Sequence, residues 1–197
     1  WLILGNRNEA ASEYLHRFST LIRMILSGSG KTTITLEEEL TMLHLYLQME
    51  QLRFEDAFEY AVETDDTVDF AMVLVPPLLL QPFCENAIWH GLMHRQEKGS
   101  LSIHIHEENN YVYFNITDNG IGRKRSAEIN RASAKKPQAM GLDITANRIK
   151  LFNRANGDNA FEIEDLLNDR GEPAGTRVMI KIKHQQPGPA IHQPILP

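Results

Sequence analysis

Three stretches of the chain carry residues that chemistry can use: ENAIWHG at 85–91, DNGIG at 118–122 and MGLDITANRI at 140–149, with Gly175-Thr176 as a weaker fourth. Asp118 is expected to close a strand, where its carboxylate can accept a hydrogen bond from an exocyclic amine; an adenine amino group is the obvious donor. Gly120 and Gly122 let the backbone approach a ligand without interference from Cβ atoms. Gly141, with Leu142 behind it, turns a loop into a helix and so presents a positive helix N-terminus to phosphate oxygens. The Asn86 side-chain oxygen suits Mg²⁺, a hard cation that prefers oxygen and keeps several waters. Singly, each stretch has a simpler reading: a solvated amide, a turn, a flexible joint. In order, a base-reading acid, a metal-holding amide and a phosphate-facing helix end make a nucleotide site.

A more conspicuous nucleotide signal, LSGSGKTT at 26–33, is a decoy. A phosphate-binding loop of that type needs Gly-x-x-x-x-Gly-Lys-[Ser/Thr] between a strand and a helix, and the position five before Gly30 is Ile25. Tyr14, Leu15, Phe18, Leu21, Ile22 and Ile25 recur every three or four residues and predict an amphipathic helix ahead of the glycines. Gly28 is then expected to cap that helix in the left-handed conformation. Thr35-Leu-Glu-Glu38 reads as a capping box opening the next helix.

The elements that must position these residues are a helical hairpin and a mixed domain. Helices are expected at 6–26 and 36–54, the second with an apolar seam of Leu36, Leu40, Leu43, Leu47 and Phe54 interrupted by Glu50. Such a hairpin is too small to bury both stripes, so its remaining apolar surface is expected to meet a second copy. From residue 57 the pattern changes. FEYAVE reads as a strand and the acidic TDDTVD as a loop. In VPPLLLQPFCENAIWHG, Pro77 suits the first turn of a helix, while Pro82 either kinks it or marks its start. SLSIHIHEENNYVYFNIT is a hairpin turning at Asn109-Asn110. Residues 123–139 hold many cations and almost nothing apolar, and are expected to form a mobile loop. A helix at 141–155 and a last hairpin, Phe161 and Ile163 against Val178, Ile180 and Ile182, complete the pattern. The tail at 185–197 is expected to be disordered. This order predicts an α+β layer with a mostly antiparallel sheet rather than repeated βαβ units.

Composition narrows the function classes. The 197 residues are 42% hydrophobic and 23% charged, and a formal net charge of -6 argues against wholesale nucleic-acid binding. The single cysteine, Cys84, excludes an internal disulfide, suits a reducing compartment and reads as a small buried hydrophobe. No apolar run approaches the roughly 18 residues that span a bilayer. Because the chain opens on Trp1, it is expected to be a piece of a longer protein. His104 and His106, on one strand face with no Cys or third His in sequence reach, read as solvated; His90 and His94 have the spacing of a helical zinc pair, but HGLMH lacks the Glu that a metalloprotease needs.

The series Asn86, Asp118-x-Gly120-x-Gly122, Gly141-Leu142 and Gly175-Thr176 resembles the N, G1, G2 and G3 boxes of the GHKL superfamily of gyrase, chaperone, histidine kinase and MutL ATPases. More closely, YLQMEQLRF, VPPLLLQPFCENAIWHG and MGLDITANRIKLFN resemble the LytS-type (LytS/YehU) sensor histidine kinases. The resemblance implies a Bergerat-type sandwich for 57–184, helices over a mixed sheet with ATP between them. It also implies a lid at 123–139, and for 1–56 the remainder of a dimerisation and phosphoacceptor region. It implies ATP and Mg²⁺ as cofactors, with Asp118 on adenine, Asn86 on Mg²⁺, Gly120 and Gly122 in the binding loop, and Gly141 with Leu142 facing phosphate. Thr176 would support the adenine site through water, and Glu85 would assist transfer. The γ-phosphoryl would pass to a histidine upstream of this chain and then to a response regulator. The full protein would be a homodimer, anchored in the inner membrane by upstream segments, with this portion in the cytoplasm and no nucleic-acid partner.

Three positions depart from the family pattern. The chain has no Asn-Pro-His-Phe phosphoacceptor motif, Trp89 stands where lysine is common, and Pro82 stands where related ATPases carry a polar or acidic residue. These departures keep two rivals in view, a nucleotide-binding signalling module without kinase activity and a GHKL ATPase. The missing acid speaks against the second.

Overall fold

The computed structural model describes residues 8–132, 140–153 and 161–184. The chain begins with the expected helical hairpin, α1 (Asn8–Gly28) and α2 (Leu36–Arg53). Thr35 and Glu38 form the capping box: the Thr35 hydroxyl accepts from the Glu38 N–H at 3.1 Å, and the Glu38 carboxylate accepts from the Thr35 N–H at 3.1 Å. Gly28 does not take the expected left-handed conformation; among the described glycines only Gly122, Gly171 and Gly175 have positive φ. The helix instead runs through Gly28 into a short turn, and LSGSGKTT joins two helices as a connector.

Ile34–Thr35 (β1) pairs with Leu74–Val75 (β3) in a two-stranded ribbon. The main sheet has the order β2-β4-β5-β7-β6, built from Phe58–Thr64 (β2), Gly99–Glu108 (β4), Tyr111–Asp118 (β5), Phe161–Leu167 (β6) and Pro173–Lys183 (β7). β2 runs parallel to β4, and the remaining pairs are antiparallel. Asn109 and Asn110, with φ of 50° and 64°, make the two-residue turn that matches strand twist and that asparagine tolerates. Leu101, Ile103 and Ile105 of β4, Val112, Phe114 and Ile116 of β5, and Val178, Ile180 and Ile182 of β7 all face one buried layer. Helices cover that face.

Three elements differ from the sequence expectation. Pro77 is not in a helix; α3 (Gln81–Asn86) starts beside Pro82, and a π-helical turn (Ala87–Gly91) continues it. Of the stretch 123–139 expected as a mobile loop, the part up to Ala132 lies in a helix, α4 (Gly122–Ala132), and 133–139 lie outside the described residues. One contact and one burial that pattern reading cannot see place α4. Arg123 makes a two-pronged ion pair with Asp165 of β6, both bonds at 2.7 Å, and Ser126 is buried. Finally, α2 is enclosed on most sides. Leu36, Met42, Leu43, Tyr46, Leu47 and Met49 join the same core as the sheet, so the uncovered apolar stripe belongs to α1, as Leu15, Phe18, Ile22 and Leu26. The remaining helix, α5 (Met140–Asn153), covers β7. The expected tail lies outside the described residues.

Candidate functional site

Along β5 the core-facing positions read Val112, Phe114, Ile116, Asp118: the next residue that the pleat turns inward is a carboxylate. Its cross-strand neighbour on β7 is Thr176, likewise buried in line with Val178, Ile180 and Ile182. Asp118 is only 6% exposed. Burial pushes its carboxyl up to about 6, against the pull of the Gly120 and Thr176 backbone N–H groups. The Gly120 N–H donates to Asp118 Oδ1 at 2.8 Å. No cation is among the groups acting on it. A buried carboxylate without a charged partner is costly in a fold and marks a site rather than a strut.

Glycines bring the other elements against this carboxylate. A Cβ on Gly120 would stand 2.5 Å from the Gly91 Cα and 2.7 Å from Asp118 Oδ1, and one on Gly91 would stand 3.0 Å from Asp118 Oδ1. The Ile121 N–H donates to the Gly91 carbonyl at 3.3 Å. The helical element carrying Asn86 is therefore seated backbone-to-backbone on the loop after Asp118. Gly175, at φ 136°, lets β7 pass: a Cβ there would fall 1.9 Å from the Asp118 carbonyl oxygen. Gly122, at φ 75°, turns the loop into α4 beside Pro173. Asn119 ties the loop to β4, its Oδ1 accepting from the Ser100 N–H at 2.8 Å, and its carbonyl accepts from Arg95.

On the far side, α5 begins at Met140, which puts Gly141 in its first turn. Leu142 packs against the core, and Thr145 and Ile149 are buried. Asn153 pins the other end of α5 to β7, with bonds of 2.7 Å to the Lys181 carbonyl and 2.9 Å from the Lys183 N–H. An open cleft of about 630 Å³, lined in part by His94, Arg95, Gly120, Ile121 and Arg125, adjoins the loop. Asp118 and Asn86 are not among its lining residues, so we take the buried carboxylate, not this cleft, as the centre of the site.

The sequence-predicted residues thus fall on one set of packed elements. Asp118 and Thr176 are cross-strand neighbours, Gly120 touches the helical element of Asn86, and Gly122 opens α4. Glu85 stands apart: it acts electrostatically on Tyr46 and Glu50 of α2 and is not among the groups acting on Asp118. Sequence reasoning named Gly175 only together with Thr176 and gave it no role of its own, and it gave none to Gly91, whose only signal was that a glycine interrupts a helix. Cys84 is fully buried, and burial raises its thiol well above the usual range. Among the described residues no group of three His, Cys, Asp or Glu side chains could hold a metal ion.

A mixed sheet covered on one face by helices is the fold of histidine kinase catalytic domains. The nucleotide-free catalytic domain of histidine kinase ThkA superposes with a TM-score of 0.50 at 15% identity, over 79% of this chain and 98% of that one. The mycobacterial sensor histidine kinase MprB gives 0.50 at 13% identity over 79% of this chain and 98% of its own. These likenesses establish the fold. The family model described as Histidine kinase matches residues 1–58. The Sensor protein LytS of Bacillus cereus is 31% identical over 169 residues, 83% of this chain and 28% of that protein. The Sensor protein LytS of Staphylococcus saprophyticus is 30% identical over 179 residues, 90% of this chain and 29% of that protein. The chain belongs to the LytS-type sensor histidine kinases, and it spans 28–29% of the length of these relatives.

Proposed function

We propose that residues 57–184 are the ATP-binding catalytic domain of a two-component sensor histidine kinase, and residues 1–56 the remainder of its dimerisation and phosphoacceptor region. The observation that carries this reading is Asp118: buried, without a cation, and roofed by the Gly91–Gly120 contact that brings in the element of Asn86. Its ionised carboxylate accepts the adenine amino group, with Thr176 beside it. The tight backbone contacts at Gly120 leave no room for side chains that would fill the cradle. Gly141 and Leu142, in the first turn of α5, offer a positive helix end to the phosphates. Asn86 provides one neutral oxygen, which fits a cation that keeps most of its waters.

Bound Mg-ATP supplies the phosphoryl group and the charge that neutralises it; the residues named here position it. Glu85, next to Asn86, is the carboxylate assigned to assist transfer. The acceptor is a histidine upstream of this chain, and a response regulator receives the phosphoryl group from it. The exposed α1 stripe, Leu15, Phe18, Ile22 and Leu26, recurs at helical spacing and is covered by a second copy in the full protein. Among the described residues no helix is long and apolar enough to cross a membrane; the membrane attachment of the sensor belongs to upstream segments, with this portion on the cytoplasmic side.

The test joins the chain to an upstream segment bearing the acceptor histidine and supplies Mg-ATP. Acid-labile phosphohistidine, lost in Asp118→Asn, is expected. Tight nucleotide binding without phosphohistidine would favour the signalling-module alternative, for which Pro82 and Trp89 speak. Sustained phosphate release would favour a GHKL ATPase.

A further inference from the structure

One helix holds both ends of the element that carries Asn86. At its start α3 has no side-chain cap of its own, and Leu78 just before it has φ 56°, a conformation that strains a non-glycine residue. Glu39 of α2 answers both: its buried carboxylate accepts from the Leu78 N–H at 2.8 Å and the Leu80 N–H at 2.9 Å. At the far end Trp89 is turned onto α2. The Arg53 guanidinium lies 4.4 Å from the centroid of the Trp89 ring system, and Phe54 meets it edge-on at 5.2 Å.

Beneath this stack, Glu50 and Tyr46 are buried, and Arg53 stands 3.8 Å from Glu50. Neither the Tyr46 hydroxyl nor Glu50 Oε2 closes a hydrogen bond. Between the anchors lie α3 and the π-helical turn, a geometry that occurs in single turns and depends on its surroundings. Asn86 directly precedes this turn, three residues before Trp89.

We propose that Trp89 is a positioning residue: held by Arg53 and Phe54 of the YLQMEQLRF segment, with Glu39 gripping the opposite end, it fixes the turn from which Asn86 reaches the metal. The proposal rests on the assignment of Asn86 to Mg²⁺. It gives the position where relatives commonly have lysine a different task, anchoring the site to the hairpin, so that a displacement of α2 is carried to Asn86.

Trp1 and Trp89 are the two tryptophans, so a Trp1→Phe background makes Trp89 the sole emitter. There Arg53→Ala, at a half-exposed side chain whose loss should not unfold the chain, is expected to red-shift Trp89 emission. Affinity for a non-hydrolysable ATP analogue is then measured with and without Mg²⁺. Arg53→Ala and Trp89→Ala should keep metal-free affinity within about twofold and lose at least fivefold of the Mg²⁺ enhancement; Trp89→Phe, still able to stack, should recover most of it. Unchanged emission in Arg53→Ala, an unchanged Mg²⁺ enhancement, or equal losses with and without metal would each overturn the proposal. A parent chain that binds no nucleotide would overturn the nucleotide reading itself, and the emission measurement would still report whether the clamp exists.

Discussion

Replacing Asp118 by asparagine should make the protein more stable and less able to bind nucleotide. The carboxyl is pushed from its usual 3.8 up to about 6 by burial. At about 1.4 kcal/mol for each factor of ten, ionising it in the folded chain costs roughly 3 kcal/mol more than in the unfolded chain. The sign follows from proton binding: the folded state holds this proton more tightly, so the contribution to stability is complete below pH 3.8 and is lost as pH rises through 6. Asparagine keeps an Oδ1 that can accept from the Gly120 N–H and carries no charge. Urea unfolding at pH 7.5 should therefore show Asp118→Asn more stable than the parent by about 1–3 kcal/mol, local relaxation accounting for the lower end. That gain should vanish near pH 4. Affinity for an ATP analogue at pH 7.5 should fall by roughly 30-fold or more, the worth of a charge-assisted bond in a buried site. A variant destabilised at pH 7.5, or a gain independent of pH, would show that the carboxylate is satisfied by a partner and refute the reasoning.

Other outcomes follow from the same contacts. Burial also raises Glu39 to about 7, so with Asp118 the thermal midpoint of the parent should decline as pH rises from 5 to 8; a rising midpoint over that range contradicts both assignments. Glu39→Ala strands the Leu78 and Leu80 N–H groups and should cost about 2–4 kcal/mol by denaturant unfolding, an effect below 1 kcal/mol showing that water replaces the carboxylate. Gly120→Ala puts a Cβ 2.5 Å from the Gly91 Cα and should cost about 2–4 kcal/mol while weakening nucleotide binding, since the helical element must lift off the loop. Arg123→Ala removes an exposed ion pair and should change global stability by under about 1 kcal/mol, measured by the same unfolding curves.

Local chemistry made much of this legible. The capping box needed only Thr35 and Glu38, the Asn109-Asn110 turn only its neighbours' alternation, and Asp118 stood out because DNGIG puts a carboxylate at a strand end beside two glycines. What escaped was non-local. Glu39 looks like one more acid in the first turn of α2, yet its carboxylate serves N–H groups 39 and 41 residues away. The cationic stretch after Gly122 reads as a loop because almost nothing in it is apolar; it is helical where Arg123 finds Asp165, 42 residues on. The seam of Leu36, Leu40, Leu43 and Leu47 on α2 read as a bundle face, and it belongs to a helix enclosed by its own domain. Trp89 read as a question about the phosphates, and its ring contacts lie with Arg53 and Phe54 instead.

The nucleotide site is tested most directly by calorimetric titration of the chain with Mg-ATP, beside the same titration with Mg-GTP. Saturable one-to-one binding of the adenine nucleotide, much weaker binding of the guanine nucleotide, and loss of the heat in Asp118→Asn are expected. Equal affinity for both bases, or no binding at all, would contradict the assignment of Asp118 to adenine.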